Sequence, residues 1–366
     1  MQLRRSVLIA LMLVLFIYFE IHSCSDDNSV APKPGPDIPS LILNANDIFF
    51  LDSDHGWVAG QEGSILLTVN GGIEWIPVKA GDEDLKSICF LDSMNGWLVG
   101  RDNSIYNSDD GGLTWEQKLF PSYSEYDDFF DVMFFNSSKG FVLGYQGVFV
   151  TEDGGEGWQN NWLPIVPARG AWDMSIVDEI RGYLLGSRWT ESDPEILYGT
   201  DDGGLNWWPV EGSNASILRT ILTIEFLDMS TGWAGGGLVM KTVDGGSNWQ
   251  VQVEPATVRE FEFTDQSTGF AVGGNTILKT VDGGSQWTDI TPEDERIVDL
   301  RSICFLDMMN GWVTGRGRLI VVGEKSYQYS VIMSTMDGGS NWDIREFAWD
   351  VTVSVTESGD DTVDLP

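Results

Sequence analysis

Chemistry in this chain would have to come mainly from carboxylates. The sequence carries 56 Asp and Glu against 21 Lys and Arg, a formal charge of −35 over 366 residues, and just two histidines, His22 and His55. A centre needing several imidazoles, whether a metal site or a set of histidine bases, cannot be assembled from that stock. The adjacent acids Asp109-Asp110, Asp127-Asp128 and Asp201-Asp202 have the residue types of a glycosidase couple or of calcium ligands. Two of these pairs fall inside a recurring Gly-Gly turn, where capping the hairpin already accounts for the second Asp. One or two carboxylates per loop also fall short of the roughly six to eight oxygens that calcium takes. The expectation is therefore no catalytic residue, no metal and no cofactor. A polyanion is repelled by the field of DNA, RNA or an anionic lipid surface, so nucleic acid is excluded as a general partner.

The elements that position these groups come from a repeat. Asp-Gly-Gly-x-x-Trp recurs with its Trp at 75, 115, 158, 207, 249, 287 and 342, the first copy carrying Asn70 in place of Asp. Upstream of each box stands a Gly followed by an aromatic, at Trp57, Trp97, Phe141, Tyr183, Trp233, Phe270 and Trp312. A period near 40 residues with Gly and Trp punctuation marks a repeat architecture. Within one unit, residues 260–290, an alternating run EFEFTD leads through a turn into a buried run at 269–273. TILKT then alternates again, and VDGGSQW turns into a last strand. Seven such four-stranded antiparallel units, without helical periodicity, predict an all-β, seven-bladed β-propeller over residues 41–349. The paired glycines allow the positive φ of a tight hairpin, and the box Trp and the Gly-aromatic supply apolar area between blades. Cys89 and Cys304 occupy matching SICFLD segments of blades two and seven, too far apart around the ring for a disulfide, and are expected to be free thiols. Two routes could close the ring: residues 41–43 as an outer strand of the last blade, or residues 347–355 returning along it.

The units TVDGGSNW (242–249) and TVDGGSQW (280–287) resemble Asp-box, or BNR, repeats. The whole pattern over residues 41–345 resembles the photosystem II stability/assembly factor family of seven-bladed propellers. That resemblance implies a non-enzymatic protein that holds a membrane-protein subunit during assembly. Asp-boxes also occur in sialidases, but the Phe/Tyr-Arg-Ile-Pro segment of that family is absent here, so an enzyme is not expected.

In a propeller the connection between strands two and three shares one rim with the link from strand four to the next blade, and the box turns lie on the other rim. The distance from Gly-aromatic to box Trp is 16 to 18 residues in five blades, but 24 in blade four and 30 in blade seven. Both insertions fall between strands two and three, near 188–194 and 316–330. The long links 122–130 and 163–172 reach the same rim. Loops that vary on a rigid scaffold are where binding concentrates. That rim also gathers Arg101, Arg169, Arg188, Arg219, Arg259, Arg301, Arg316 and Arg318, with Trp172, Trp189, Tyr123, Tyr327 and Tyr329 nearby. Arginine and aromatic side chains are the usual anchors of interfaces. The predicted function is a non-catalytic scaffold that is monomeric and binds a protein partner, a membrane-protein subunit or an acidic segment, through this face. The alternative is a glycan-binding or glycan-cleaving pocket at the central channel, served by Trp172 and Trp189, which a carboxylate pair facing the channel would favour.

The N-terminus reads as an address. Arg4 and Arg5 precede an apolar run from Val7 to Phe19, and Ile21-His22-Ser23-Cys24 resembles a bacterial lipobox with Cys24 as the lipidated residue. Residues 1–23 are then a signal peptide, residues 24–40 a Pro-rich tether and residues 350–366 an acidic tail. The expected product is an exported lipoprotein held at a membrane, facing the periplasm or the cell surface.

Overall fold

The computed structural model describes residues 43–119, 128–145, 147–162, 168–188, 196–212, 221–254, 256–322 and 325–351. These residues form seven four-stranded antiparallel sheets, each with its strands in sequence order, and contain no helix. The seven first strands are Ala45–Phe50, Leu85–Phe90, Phe129–Phe134, Ala168–Ile176, Ile221–Phe226, Glu260–Phe263 and Asp299–Phe305, and their side chains converge on a central channel. The seven-bladed propeller read from the repeat is thus what the chain adopts.

Neighbouring blades are joined by an aromatic pair. The Gly-aromatic of one blade lies on the Phe that ends the next blade's first strand: Trp57 on Phe90 at 3.6 Å, Tyr183 on Phe226 at 3.7 Å, Trp233 on Phe263 at 3.7 Å and Phe270 on Phe305 at 3.5 Å between ring centroids. Trp97 and Phe134 are parallel at 4.9 Å. The box Trp of the receiving blade meets the same Phe edge-on, as Trp249 does with Phe226 at 6.0 Å. Blade four carries Ile176 where the others have Phe, and Phe141 packs there in an aliphatic and aromatic cluster instead. The glycine before each aromatic is required by this packing: a Cβ on Gly56, Gly232 or Gly311 would sit 2.4 to 2.5 Å from the ring of Phe50, Phe226 or Phe305.

Box turns are held by side chains. In blade five, Thr242 Oγ1 accepts from the amide of Gly246 at 2.9 Å and donates to Asp244 Oδ1 at 2.9 Å. Asp244 in turn accepts from the amide of Asn248 at 2.8 Å. Gly245 and Gly246 have φ of 69° and 85°, a conformation that side-chain-bearing residues rarely adopt.

The ring closes without sharing a sheet between the two ends of the chain. Blade seven is built wholly from Asp299–Phe305, Gly311–Val322, Lys325–Thr335 and Asp343–Val351, so residues from Phe347 onward do run along it as the outer strand. Residues 41 and 42 lie outside the described residues. Blade one docks on blade seven through the same aromatic device, Trp312 stacked on Phe50 at 3.7 Å with its Nε1 donating to the carbonyl of Gly71 at 3.1 Å. Ser330 Oγ adds a clasp, donating to the Leu43 carbonyl at 2.6 Å and accepting from the Ala45 amide at 3.0 Å. Cys89 and Cys304 are free thiols, and burial pushes the pKa of each well up.

Candidate binding site at the channel mouth

A first strand has one edge paired to its own blade and the other open to the channel, where unpaired amides would be costly. Side chains from the adjoining blade cap that open edge. Asp47 accepts from the Ile88 amide of blade two at 2.8 Å and from Ser302 Oγ of blade seven at 2.7 Å. Asp173 accepts from Ile224 at 2.6 Å, and Glu260 accepts from Ile303 at 2.8 Å. Ser87 Oγ donates to Asp131 at 2.8 Å. A polar residue stands at one column of each first strand, Asp47, Ser87, Asp131, Asp173, Thr223, Glu260 and Ser302, and these bonds lace together five of the seven blade junctions around the axis.

The cavity inside this lacing has a volume of about 330 Å³ and is lined by six carboxylates: Asp47, Asp131, Asp173, Glu225, Glu260 and Glu262. Water touches them down the channel, yet protein encloses them, and that enclosure raises the pKa of all six. Burial pushes Asp131 up to about 6, Asp173 to about 7 and Glu262 to about 8. Glu225 and Glu260 are raised well above the usual range by burial and by neighbouring carboxylates. No described residue hydrogen-bonds the carboxyl group of Glu225 or Glu262. Among the described residues, no group of three or more His, Cys, Asp or Glu side chains is arranged to hold a metal ion. Sequence reading missed this belt, because its members lie about 40 residues apart. Aligning the seven first strands and looking down the polar columns would have found it.

Above the belt the charge reverses. In six first strands the register slips by one residue, at Asn46, Lys86, Phe130, Trp172, Leu222 and Arg301. Such β-bulges re-aim a side chain. Lys86 and Arg301 line the cavity together with Arg259. Around the mouth, Asp299 is shared by three guanidinium groups: Arg259 Nη2 at 3.1 Å, Arg301 Nε at 3.7 Å and Arg316 Nη2 at 3.9 Å. Arg301 is also tied to the ring closure, donating to Asn46 Oδ1 at 2.7 Å. Burial lowers the pKa of Arg301 and of Lys86, and neighbouring cations lower both further. Arg101 stands 3.5 Å from Asp84.

Of the ten residues predicted for this face, Arg259, Arg301 and Arg316 therefore meet on one carboxylate, and Arg101 flanks Lys86 beside them. Arg318 is spent elsewhere, with both terminal nitrogens of its fork used: Nε and Nη2 each lie 3.0 Å from Glu346, and Nη1 lies 3.1 Å from Glu295. Arg169, Trp172 and Arg188 belong to strands of blade four, with Trp172 at the bulge column, but their side chains lie outside the description. Arg219, Trp189 and Tyr123 lie outside the described residues, as does Cys24. Lys86 was not singled out from sequence.

A family profile described as "Photosynthesis system II assembly factor YCF48" matches residues 76–168. A curated relative, "Photosystem II assembly lipoprotein Ycf48" from Synechococcus sp. (strain CC9902), is 26% identical over 232 residues, covering 60% of this chain and 66% of the relative. The chain thus spans just under two thirds of that relative's length. Among solved structures, "YCF48 bound to D1 peptide" is similar with a TM-score of 0.60 at 19% identity, covering 75% of this chain and 91% of that one. An ancestral GH74 enzyme has a TM-score of 0.52 at 14% identity, covering 82% of this chain and 48% of that one. At these identities the two structures speak to the fold alone, and an enzyme on the same fold means that the fold by itself decides nothing about catalysis.

Proposed function

We propose that this seven-bladed propeller, similar to photosystem II assembly factors, is a non-catalytic protein that binds a carboxylate-bearing peptide segment of a membrane-protein subunit at the arginine-rimmed channel mouth. The observation that carries this reading is the sharing of Asp299 by Arg259, Arg301 and Arg316. One carboxylate neutralises one guanidinium, so the cluster keeps surplus positive charge in a protein that is otherwise strongly acidic. Arg259 and Arg316 remain 43% and 45% exposed, free to take a second carboxylate in the two-pronged geometry that guanidinium favours. The name of the similar complex, with its D1 peptide, supports a peptide as the occupant and supplies the first probe.

Titrating labelled D1 peptide into the chain tests this. Binding should weaken steeply with salt and be lost when Arg101, Arg259, Arg301 and Arg316 are replaced by Glu. A cross-linked pull-down from the protein's own membranes then asks for the natural partner, and unchanged partners after those four replacements would place binding elsewhere. The lipid anchor belongs to the same reading: palmitate label should enter the protein and should fail to enter Cys24→Ala.

The carboxylate belt favours the glycan alternative, since it sets acids on the channel wall. A glycosidase needs one carboxyl held protonated and its partner held ionised. Here Asp47, Asp173 and Glu260 accept from backbone amides and Asp131 accepts from Ser87 Oγ, while the two acids whose side chains no described residue hydrogen-bonds, Glu225 and Glu262, are both driven toward the protonated form. Glycan-array binding that disappears in Glu225→Gln or Glu262→Gln would establish the alternative.

A further inference from the structure

The inserted hairpin of blade seven gives the binding face a second feature. Its second strand, Gly311–Val322, pairs with the first strand of the blade only as far as Arg316 opposite Asp299. On its other side it pairs with the third strand to the end, with Leu319 opposite Gln328 and Val322 opposite Lys325. From Leu319 to Val322, therefore, no described residue pairs with the strand's inner edge. Among the described residues, the register slips between Arg316 and Leu319 at the base of this edge, and no pairing strand follows on the inner side beyond that slip. Natural sheets protect such strands with Lys, Pro or a covering loop, whereas here the sequence is Leu-Ile-Val-Val, with Leu319 57% and Val321 63% exposed. The edge starts three residues beyond Arg316, roughly 10 Å along the strand at about 3.3 Å per residue.

We propose that this open edge receives the bound peptide as an added strand, with a carboxylate of the peptide on Arg316 and Arg259 and its backbone paired to Leu319–Val322. The inference rests on the peptide-binding reading above and specifies how the peptide is held. Main-chain hydrogen bonds along an exposed edge provide affinity without demanding a sequence, and the arginines provide orientation. Charge selects the occupant: beside Arg259, Arg301 and Arg316 an acidic extended segment is attracted, while a second copy of this strongly acidic chain is repelled.

The register predicts which groups take part. Val322 and Lys325 flank a two-residue connection, so in an antiparallel pair their main-chain groups face each other. Those of Leu319 and Val321, by alternation, then face outward. The experiment uses the full chain and a fluorescent decapeptide alternating Val with Asp. Three chains are compared: the natural one, Val321→Pro, which removes an outward amide without breaking the hairpin, and one in which residues 319–328 are replaced by Asn-Gly, returning blade seven to a short hairpin like that of its neighbours. The natural chain should bind, with slowed hydrogen exchange at the Leu319 and Val321 amides, and both variants should bind at least about tenfold more weakly. Binding that is equal in all three chains, or that leaves those two amides unprotected, overturns strand addition while leaving the arginine reading intact. Failure of the natural chain to bind the decapeptide overturns the proposed occupant. A natural chain that sediments as a dimer, while Val321→Pro sediments as a monomer, would assign the edge to a second copy and overturn it too.

Discussion

Glu262 projects from the first strand of blade six into the channel, between the core residues Phe261 and Phe263 in sequence, and no described residue hydrogen-bonds its carboxyl group. Burial raises its pKa from 4.5 to about 8. A carboxyl whose pKa is higher in the folded chain than in the unfolded one binds its proton more tightly when folded. Its effect on stability is therefore most favourable below pH 4.5 and is lost as pH rises through 8. A carboxyl held at about 8 instead of 4.5, at about 1.4 kcal/mol per pH unit, loses at most roughly 5 kcal/mol on full ionisation, an upper figure because channel water solvates part of the charge. Replacing Glu262 by Gln keeps the shape of the protonated acid and removes the titration. Urea unfolding of both chains should give nearly equal stabilities at pH 5 and a Gln variant more stable by about 2 to 5 kcal/mol at pH 9. Between those limits the gap should widen by up to about 1.4 kcal/mol per pH unit. A gap that stays constant from pH 5 to 9, or a natural chain that gains on the variant as pH rises, would refute the assignment of Glu262 as an enclosed, protonated acid.

Trp312→Ala removes the stacked ring that closes blade seven on blade one, and should cost about 3–5 kcal/mol in denaturant unfolding. Gly311→Ala, a change often mild in a strand, should here cost about 1–3 kcal/mol because the new methyl would meet the Phe305 ring at 2.4 Å; a thermal scan superimposing on the natural chain's would contradict the packing. Thr242→Val keeps the shape of a buried side chain but leaves the Gly246 amide without its acceptor, for a loss of about 1–3 kcal/mol in the same assay. Cys89 and Cys304 should resist iodoacetamide in the native protein and both react after unfolding, since burial disfavours each thiolate; rapid native alkylation of either would count against its enclosure.

What could be read without coordinates was whatever is local to a blade. The Asp-Gly-Gly turn specifies a hairpin within about eight residues, and the Gly-aromatic marks the strand before it, so seven copies of the pair gave seven sheets. The insertions at 188–194 and 316–330 were likewise visible as departures from a constant spacing, because a hairpin's length is written in one stretch of chain. The Phe that closes six of the seven first strands was present in the sequence too, at Phe50, Phe90, Phe134, Phe226, Phe263 and Phe305, but its role was not, since the ring it stacks on belongs to the preceding blade.

The tertiary structure alone decided what faces the axis. Asp47, Asp131, Asp173, Glu225, Glu260 and Glu262 look like ordinary acidic punctuation in strands far apart along the chain, and any one by itself in water would simply ionise. Closing the ring removes most of that water and brings six like charges into about 330 Å³, and proton binding then depends on through-space distance and enclosure. The same closure gathers Arg259, Arg301 and Arg316 on Asp299. Charge interactions depend on separation in space, and a repeat fixes separation in space only once the last blade has met the first.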